Sequence, residues 1–460
     1  MPDAGPADAA IHDSGEEMSP GHVGHKEAAG LKPAIKKKDG NAFPGFSRRI
    51  ATLKDVVDWG LCTGCGACYY ACSKHGISLV NIESVGIRPR FDSSACAGCT
   101  ECLSICPGNS VDGELATGQV SNQADAHPAV GSVLEVWEGY AGDPEIRFQG
   151  SSGGALSALA LYCLEREDME FVLHTGVDEA KSWLSKTVQS RNRSELLART
   201  GSRYAPASPC DGLGLIEKSP RPCVFVGKPC DTTAVTMLRN QRPELDQKLG
   251  LVLTFFCAGT PSTQGTLDLV KELAVPLQDV TSVRYRGQGW PGRFKVISQG
   301  GAQEKSFSYE ESWGWLTGYR PLRCHICPDG LGRVADISCG DAWEKLADGR
   351  DAGRSIVVVR TQRGREILHR AVAAKYLELE PVGATAVLTA QPNQIEKYRQ
   401  LWGRLLGMRL LRVPIPTFGA FLLSQAWGEL PFLKKARIIL GTLRRVALRG
   451  LWRRRHILQG

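Results

Sequence analysis

No run of 18 or more apolar residues occurs in this 460-residue chain, so no membrane-spanning helix is expected. The opening residues, MPDAGPADAAIHDSGEEMSPGHVGHKE, contain no apolar stretch and do not read as a secretory signal. A reducing cytoplasm is therefore the expected compartment for a chain with many clustered thiols. No Ser–His–Asp set and no paired-carboxylate set emerges, so hydrolytic chemistry has no support. No complete G-x-G-x-x-G fingerprint is present either. Acid is missing from the last thirty residues: after Glu429 come Lys434, Lys435, Arg437, Arg444, Arg445, Arg449, Arg453, Arg454 and Arg455, and no Asp or Glu. The formal net charge is +8, so the rest of the chain is close to neutral. That distribution excludes nucleic acid as the expected partner. At 42% hydrophobic and 23% charged residues the composition is that of an ordinary globular protein of two or three domains.

What the chain has is cysteine, sixteen in all. Eight of them form two copies of one motif. CTGCGACYYAC carries Cys62, Cys65, Cys68 and Cys72; CAGCTECLSICP carries Cys96, Cys99, Cys102 and Cys106, followed by Pro107. Both runs are C-x2-C-x2-C-x3-C, the spacing of bacterial two-cluster ferredoxins. A tight loop supplies three thiolates to a cubane, and in this arrangement the fourth serves the other cluster. One 4Fe–4S cluster is thus assigned to Cys62, Cys65, Cys68 and Cys106, and a second to Cys96, Cys99, Cys102 and Cys72. A zinc knuckle or a disulfide framework would use similar pairs, but two full runs, the second followed by Pro107, fit neither well.

Residues 1–45, rich in Gly, Ala, Pro and charge without apolar period, read as a disordered arm. Residues 50–125 hold the cysteine runs, with GISLVNIESVGIRPRF between them as a hairpin. From Val133 strands and helices alternate: LEVWEGYAG, ALSALALYCLERE, FVLHTGV, RPCVFVG, DTTAVTMLRN, GLVLTFFCAG, TQGTLDLVKELA, SIVVVRT and QRGREILHRAVAAKYLE. The expected fold is an α+β ferredoxin-like two-cluster module followed by an α/β domain over 130–400 with buried parallel strands. RFKVISQGG reads as a further hairpin. Residues 431–460 form a basic amphipathic tail. On a helix Lys434, Arg437, Arg445, Arg449 and Arg453 fall near one face and Ile439, Leu443, Val446 and Leu451 near another, with Gly441 and Gly450 interrupting. Such a helix suits an anionic membrane surface or a partner subunit.

Four further sites lie in the second half. QGSSGG (Gln149–Gly154) joins a strand to a helix; Ser151, Ser152, Gly153 and Gly154 would let a phosphate approach the helix N-terminus, or Ser152 is a plain N-cap. In VGKPCDTTA, Gly227 and Lys228 would meet an anionic ligand, or Lys228 is a solvated lysine. Cys230, at a helix N-terminus, is expected to have a lowered thiol pKa. FFCAGTPS places Cys257 at a strand's carboxyl end, where ligands collect in open sheets. RCHICPD gives Cys324 and Cys327. With Cys230 and Cys257 they make four thiols, enough for a third 4Fe–4S cluster, a zinc site or a redox disulfide. Cys339 is a spare candidate. Cys163, Cys210 and Cys223 carry no motif and read as structural. Asp336 and Asp341 would bind a cofactor or cap turns.

Taken in order, WEGYAGDPEIRFQGSSGGALSALALYCLE, VGKPCDTTA, FFCAGTPS and RCHICPDGLGRVADISCGDAW resemble the beta-subunit family of coenzyme F420 (deazaflavin) hydrogenases and dehydrogenases, over roughly residues 50–380. The resemblance implies an FAD-binding α/β domain exchanging electrons with iron–sulfur clusters. It implies FAD or substrate contacts at Ser152, Gly153, Gly154 and Lys228, and cluster ligation by Cys230, Cys257, Cys324 and Cys327. It implies a deazaflavin coenzyme or ferredoxin as redox partner, or, as in the related plant 7-hydroxymethyl chlorophyll a reductase, another conjugated acceptor. The arm and the tail lie outside it. Two other readings stand beside a flavoenzyme: a non-catalytic electron relay in a larger redox complex, and a metal-stabilised binding module without redox function.

Overall fold

The computed structural model describes residues 50–92, 94–96, 99–113, 127–298, 301, 303–343 and 352–457. The expected arm, residues 1–45, lies outside them.

The N-terminal module starts at Thr52, whose hydroxyl accepts from the Asp55 N–H while the Asp55 carboxylate accepts from the Thr52 N–H, closing a capping box on the Leu53–Asp58 helix. Leu53, Val56 and Val57 of that helix are buried. The first cysteine loop turns into the short Ala67–Ala71 helix through Gly66 at φ +86°; a Cβ there would stand 2.9 Å from the Ser208 carbonyl oxygen, so the turn and a close approach both require glycine. The expected hairpin forms from β1 (Ile77–Ile82) and β2 (Gly86–Phe91), paired antiparallel. After the second loop, β3 (Ser110–Asp112) pairs in parallel with a strand from the far end of the chain, Thr417–Gly419.

The main sheet uses β4 (Glu135–Ala141), β5 (Val172–Val177), β6 (Ser185–Ser190), β7 (Cys223–Gly227) and β8 (Leu249–Phe255). A small antiparallel sheet intervenes: β9 (Val280–Arg284), β10 (Arg293–Ser298) and β11 (Gln303–Ser308), the last two being the RFKVISQGG hairpin. β12 (Ile337–Asp341), β13 (Ser355–Val359) and β14 (Leu377–Val382) complete the main sheet, and β15 is Thr417–Gly419. Its order is β14-β4-β13-β12-β8-β7-β5-β6.

Only β5, β7, β8 and β12 run parallel; β6, β13, β4 and β14 join antiparallel, so the expected parallel sheet is a mixed one. The reason is that an apolar run encodes burial and not direction. β7 (CVFVG) and β13 (SIVVV) are both buried throughout and look alike in sequence, yet one has parallel neighbours and the other antiparallel.

The module is not a separate body. Leu53, Val56, Cys62 and Cys106 share a core with Val358, Ile395, Leu405 and Val446. Arg360, fully buried, donates to the carbonyls of Val130, Ser132 and Leu331, tying the linker between module and sheet to the end of β13. The Pro392–Leu410 helix runs through residue 400, where the sequence placed the end of the second domain. The tail forms the expected helix, Phe432–Leu448, straight through Gly441 and ending before Gly450 at φ +60°. Its buried face is Ile438, Thr442 and Val446, not the Ile439–Leu443–Leu451 set, because that i, i+4, i+8 row meets Gly407 on the Pro392–Leu410 helix.

Candidate metal centres

The two cysteine runs interleave in space. Burial pushes the Cys68 thiol far up, and the charges of Cys65, Cys62, Cys106 and then Cys102 add to it. Cys106, the fourth cysteine of the second run, is raised by burial and by Cys65 and Cys62 of the first. Cys62, Cys65, Cys68 and Cys106 line one space with apolar walls that include Leu53, Leu79, Ile87 and Ile105. All four are only 7–8% exposed. Cys65 departs from the others: its pKa is lowered, chiefly by a hydrogen bond from the thiol of Cys210. Cys210 carried no sequence signal. It arrives because the Ser208 hydroxyl donates to the Gly64 carbonyl at 2.6 Å and the Cys210 N–H to the Cys65 carbonyl at 3.1 Å.

The second group is Cys72, Cys96, Cys99 and Cys102. Burial and then Cys99, Cys72 and Cys96 push Cys102 up to about 11; burial and then Cys72 raise Cys96. These four side chains are partly exposed.

The third group is built by the sheet. Cys230 sits in the first turn of the Pro229–Arg239 helix after β7, Cys257 just past the neighbouring β8, and Cys324 and Cys327 flank the end of the Leu322–His325 helix. Burial, then Cys324 and Cys327, push Cys257 up to about 12. Cys230 feels Cys257 and Cys327. Its pKa is raised, not lowered as its helix position suggested: burial outweighs the helix end, and the Asp231 carboxylate beside it acts the same way. The spare, Cys339, lies in the sheet core on β12 and is pushed up to about 12 by burial alone, so it stands apart. Cys163 and Cys223 are buried core residues as expected.

Among the described residues no three His, Cys, Asp or Glu side chains converge closely enough for one metal ion.

The expected ligand-facing residues turn inward. Lys228 is buried; its ammonium pairs with Asp231 at 2.7 Å and donates to the Ala207 carbonyl at 3.1 Å, so it is an internal ion-pair partner and not a solvent-facing anion contact. Gly227 packs against Phe225 and Asp231. The Ser152 hydroxyl is held by the Gly340 and Arg354 carbonyls and Ser355, and Gly154, not Ser152, caps the Ala155–Arg166 helix. A Cβ on Gly153 would meet the Gly139 oxygen at 2.6 Å, so that glycine serves chain packing. Ser151 accepts from the Ser202 N–H and keeps its own proton to donate. Asp336 is filled by the Val252 N–H and the Thr361 hydroxyl. Asp341 forms a bidentate pair with buried Arg286 and accepts from the Trp290 indole. Arg286 stacks over Tyr309 and Trp343, a frame the sequence did not reveal, and this frame borders the 150–154 loop through Gly287 against the Gln149 carbonyl and Gly353 against Trp290.

Comparison with known proteins agrees with this layout. Residues 61–110 match the family model "4Fe-4S dicluster domain", a span that holds all eight motif cysteines. Residues 136–213 and 221–385 match the N-terminal and C-terminal models of "Coenzyme F420 hydrogenase/dehydrogenase, beta subunit". A "Coenzyme F420-dependent sulfite reductase" of Methanocaldococcus jannaschii is 24% identical over 365 residues, 76% of this chain and 50% of that protein. The chain thus spans half the length of that relative. An "F420-dependent formate dehydrogenase 1 subunit beta" of Methanococcus maripaludis is 25% identical, covering 58% of this chain and 68% of the relative. A chain of the F420-reducing [NiFe] hydrogenase complex from Methanosarcina barkeri is similar over 59% of this chain and 92% of its own length, with TM-score 0.47 and 24% identity.

Proposed function

The chain belongs to the coenzyme F420 hydrogenase/dehydrogenase beta-subunit family, and from that premise we propose that it is an iron–sulfur flavoprotein oxidoreductase whose centres form a relay. The observation that carries the reading is the order of the three cysteine groups. Cys102 of the partly exposed second group acts on Cys68 of the buried first group. Asp231 acts on Cys65 of the first group, and its ion-pair partner Lys228 lies beside Cys257 and Cys230 of the third. Electrons entering at the second group would pass to the first and then to the third.

The eight motif cysteines hold two 4Fe–4S clusters, and Cys230, Cys257, Cys324 and Cys327 hold a third. The 150–154 loop and the Arg286, Trp290, Tyr309 and Trp343 frame would hold FAD, with the loop's backbone N–H groups and the Ser151 hydroxyl available to its phosphates. Bound FAD exchanges electron pairs with a deazaflavin coenzyme or another conjugated acceptor and single electrons with the clusters. The chain itself orients the groups and keeps water out. Arg286, buried and locked by Asp341, the Pro291 carbonyl and the two rings beside it, fixes the shape of the frame. The second reading, a relay subunit of a larger redox complex, is favoured by relatives named as beta subunits.

Anaerobic purification with iron, sulfide and flavin quantitation tests both. About twelve irons and one FAD per chain, with reduced deazaflavin bleaching an artificial acceptor, are expected. About eight irons and no flavin would leave a two-cluster relay. A full cofactor complement with turnover only after a partner subunit is added would support the second reading over the first.

A further inference from the structure

The Phe432–Leu448 helix has two apolar faces, and only one is used. Ile438, Thr442 and Val446 are buried against the Pro392–Leu410 helix. On the other side Phe432 is 80% exposed, Leu433 81%, Leu440 64% and Leu448 74%, and Trp452 continues the row just beyond the helix end. These large side chains are left in water over four turns, without the burial that apolar surface favours. Cations surround them. Arg437, Arg444, Arg445, Arg449 and Arg453 have no carboxylate partner among the described residues, and the sequence supplies no acid after Glu429.

Beside this face an open groove runs between the two helices, lined by Arg404, Lys434, Arg437 and Arg445 together with Leu433 and Ile438. Arg404 is tied to the His325 carbonyl and to Gln400, its Nε is buried without a partner, and Arg445 lowers its pKa after burial does. Glu396 offsets Lys434 at 2.8 Å and acts on Arg404, which leaves Arg437 and Arg445 as the groove cations without a carboxylate partner among the described residues. The helix is also held in place before any partner arrives. Arg454 pairs with Asp55 and Asp58, each at 2.9 Å, and the Arg455 N–H donates to the Asp58 carbonyl.

We infer that this outer face docks the protein on an anionic phospholipid bilayer. One surface satisfies both excesses: headgroup phosphates meet the arginines and the groove, while the Phe432–Leu433–Leu440–Leu448 row enters the acyl boundary. An acidic protein surface would match the arginines and leave the apolar row in water. A helical partner would bury the row and gain nothing from the uncompensated cations. Among the described residues no helix is long and apolar enough to cross a membrane, so the contact is peripheral. The helix is already folded on its body, so binding carries no folding penalty of the kind a free amphipathic peptide meets.

The test is vesicle flotation of the full, anaerobically purified chain. Vesicles of phosphatidylcholine are compared with vesicles in which a quarter of the lipid is phosphatidylglycerol. The bound fraction is expected to be about tenfold higher with the anionic vesicles and to fall with salt. Two double variants separate the components: Leu433→Glu with Leu440→Glu, and Arg437→Glu with Arg444→Glu. These side chains are exposed, so both variants should keep wild-type iron content and visible absorption while losing about tenfold in binding. Absence of binding to the anionic vesicles overturns the inference. So does binding that survives the leucine changes, which would mean a purely ionic adhesive surface, or binding that survives the arginine changes.

Discussion

The first and second cysteine groups come from the same motif written twice, and they end in different surroundings. The first is 7–8% exposed, covered by the Leu53–Asp58 helix, by the β1–β2 hairpin and by the Ser208–Gly212 segment of the α/β body. The second is partly exposed. Spacing decides which atoms can meet a cluster; the rest of the fold decides whether that cluster faces water. Exposure and hydrogen bonds to sulfur are what move cluster potentials. A thiol hydrogen bond reaches Cys65 through Cys210 in the first group. In the proposed relay, one motif would provide both an outer and an inner station.

The largest difference should appear when each group loses one cysteine. Cys106→Ala and Cys99→Ala should each remove about four irons per chain. Cys106→Ala opens the common core and should lower the unfolding midpoint well below that of Cys99→Ala, measured by thermal melts of the anaerobic proteins. Equal midpoints would mean that burial does not distinguish the two groups. Next in size is the ion pair that joins the body to the inner group. Lys228→Met leaves Asp231 buried and uncompensated, at a cost of about 3–5 kcal/mol in chemical unfolding, and adding Asp231→Leu should recover part of it. A loss near zero would place the pair in water and remove the cover from the comparison.

The smallest effect concerns the body alone. His174 on β5 is pushed down to about 4 by burial and by Arg199, and its ring nitrogen meets the Ser190 hydroxyl at 2.8 Å. The unfolded chain takes up a proton near pH 6.5 that the folded chain refuses until about 4. Stability should therefore decline as pH falls through that window, and His174→Gln should flatten the decline. A slope unchanged in the variant would show that other groups set the acid limit.

Much of this was legible in local pattern. The eight motif cysteines, the hairpin between them and the strand–helix alternation all depend on neighbours a few residues apart. Strand direction was not legible, because β13 is buried like β7 and carries no mark of its antiparallel neighbours. Lys228 looked like an anion contact because sequence shows charge and not depth; the fold closes it against Asp231. Cys210 was invisible for a different reason: its partner loop lies 144 residues away at the Ser208–Gly64 hydrogen bond. The third group needed four segments to converge. The carboxyl ends of adjacent strands hinted at Cys230 and Cys257 and the C-x2-C spacing at Cys324 and Cys327, while the resemblance implied that the four ligate one cluster.

The tie between Asp58 and Arg454 spans 396 residues and has a temporal meaning. At roughly 5–20 residues per second of synthesis, Arg454 leaves the ribosome on the order of 20–80 s after Asp58. The strand partner of β3, Thr417–Gly419, is nearly as late. During that interval the eight thiols and the 53–107 walls around the inner four are already made, while the tail and β15 that brace the module are not. The bracing of the inner group's scaffold is thus completed last, after its thiols and their walls have left the ribosome.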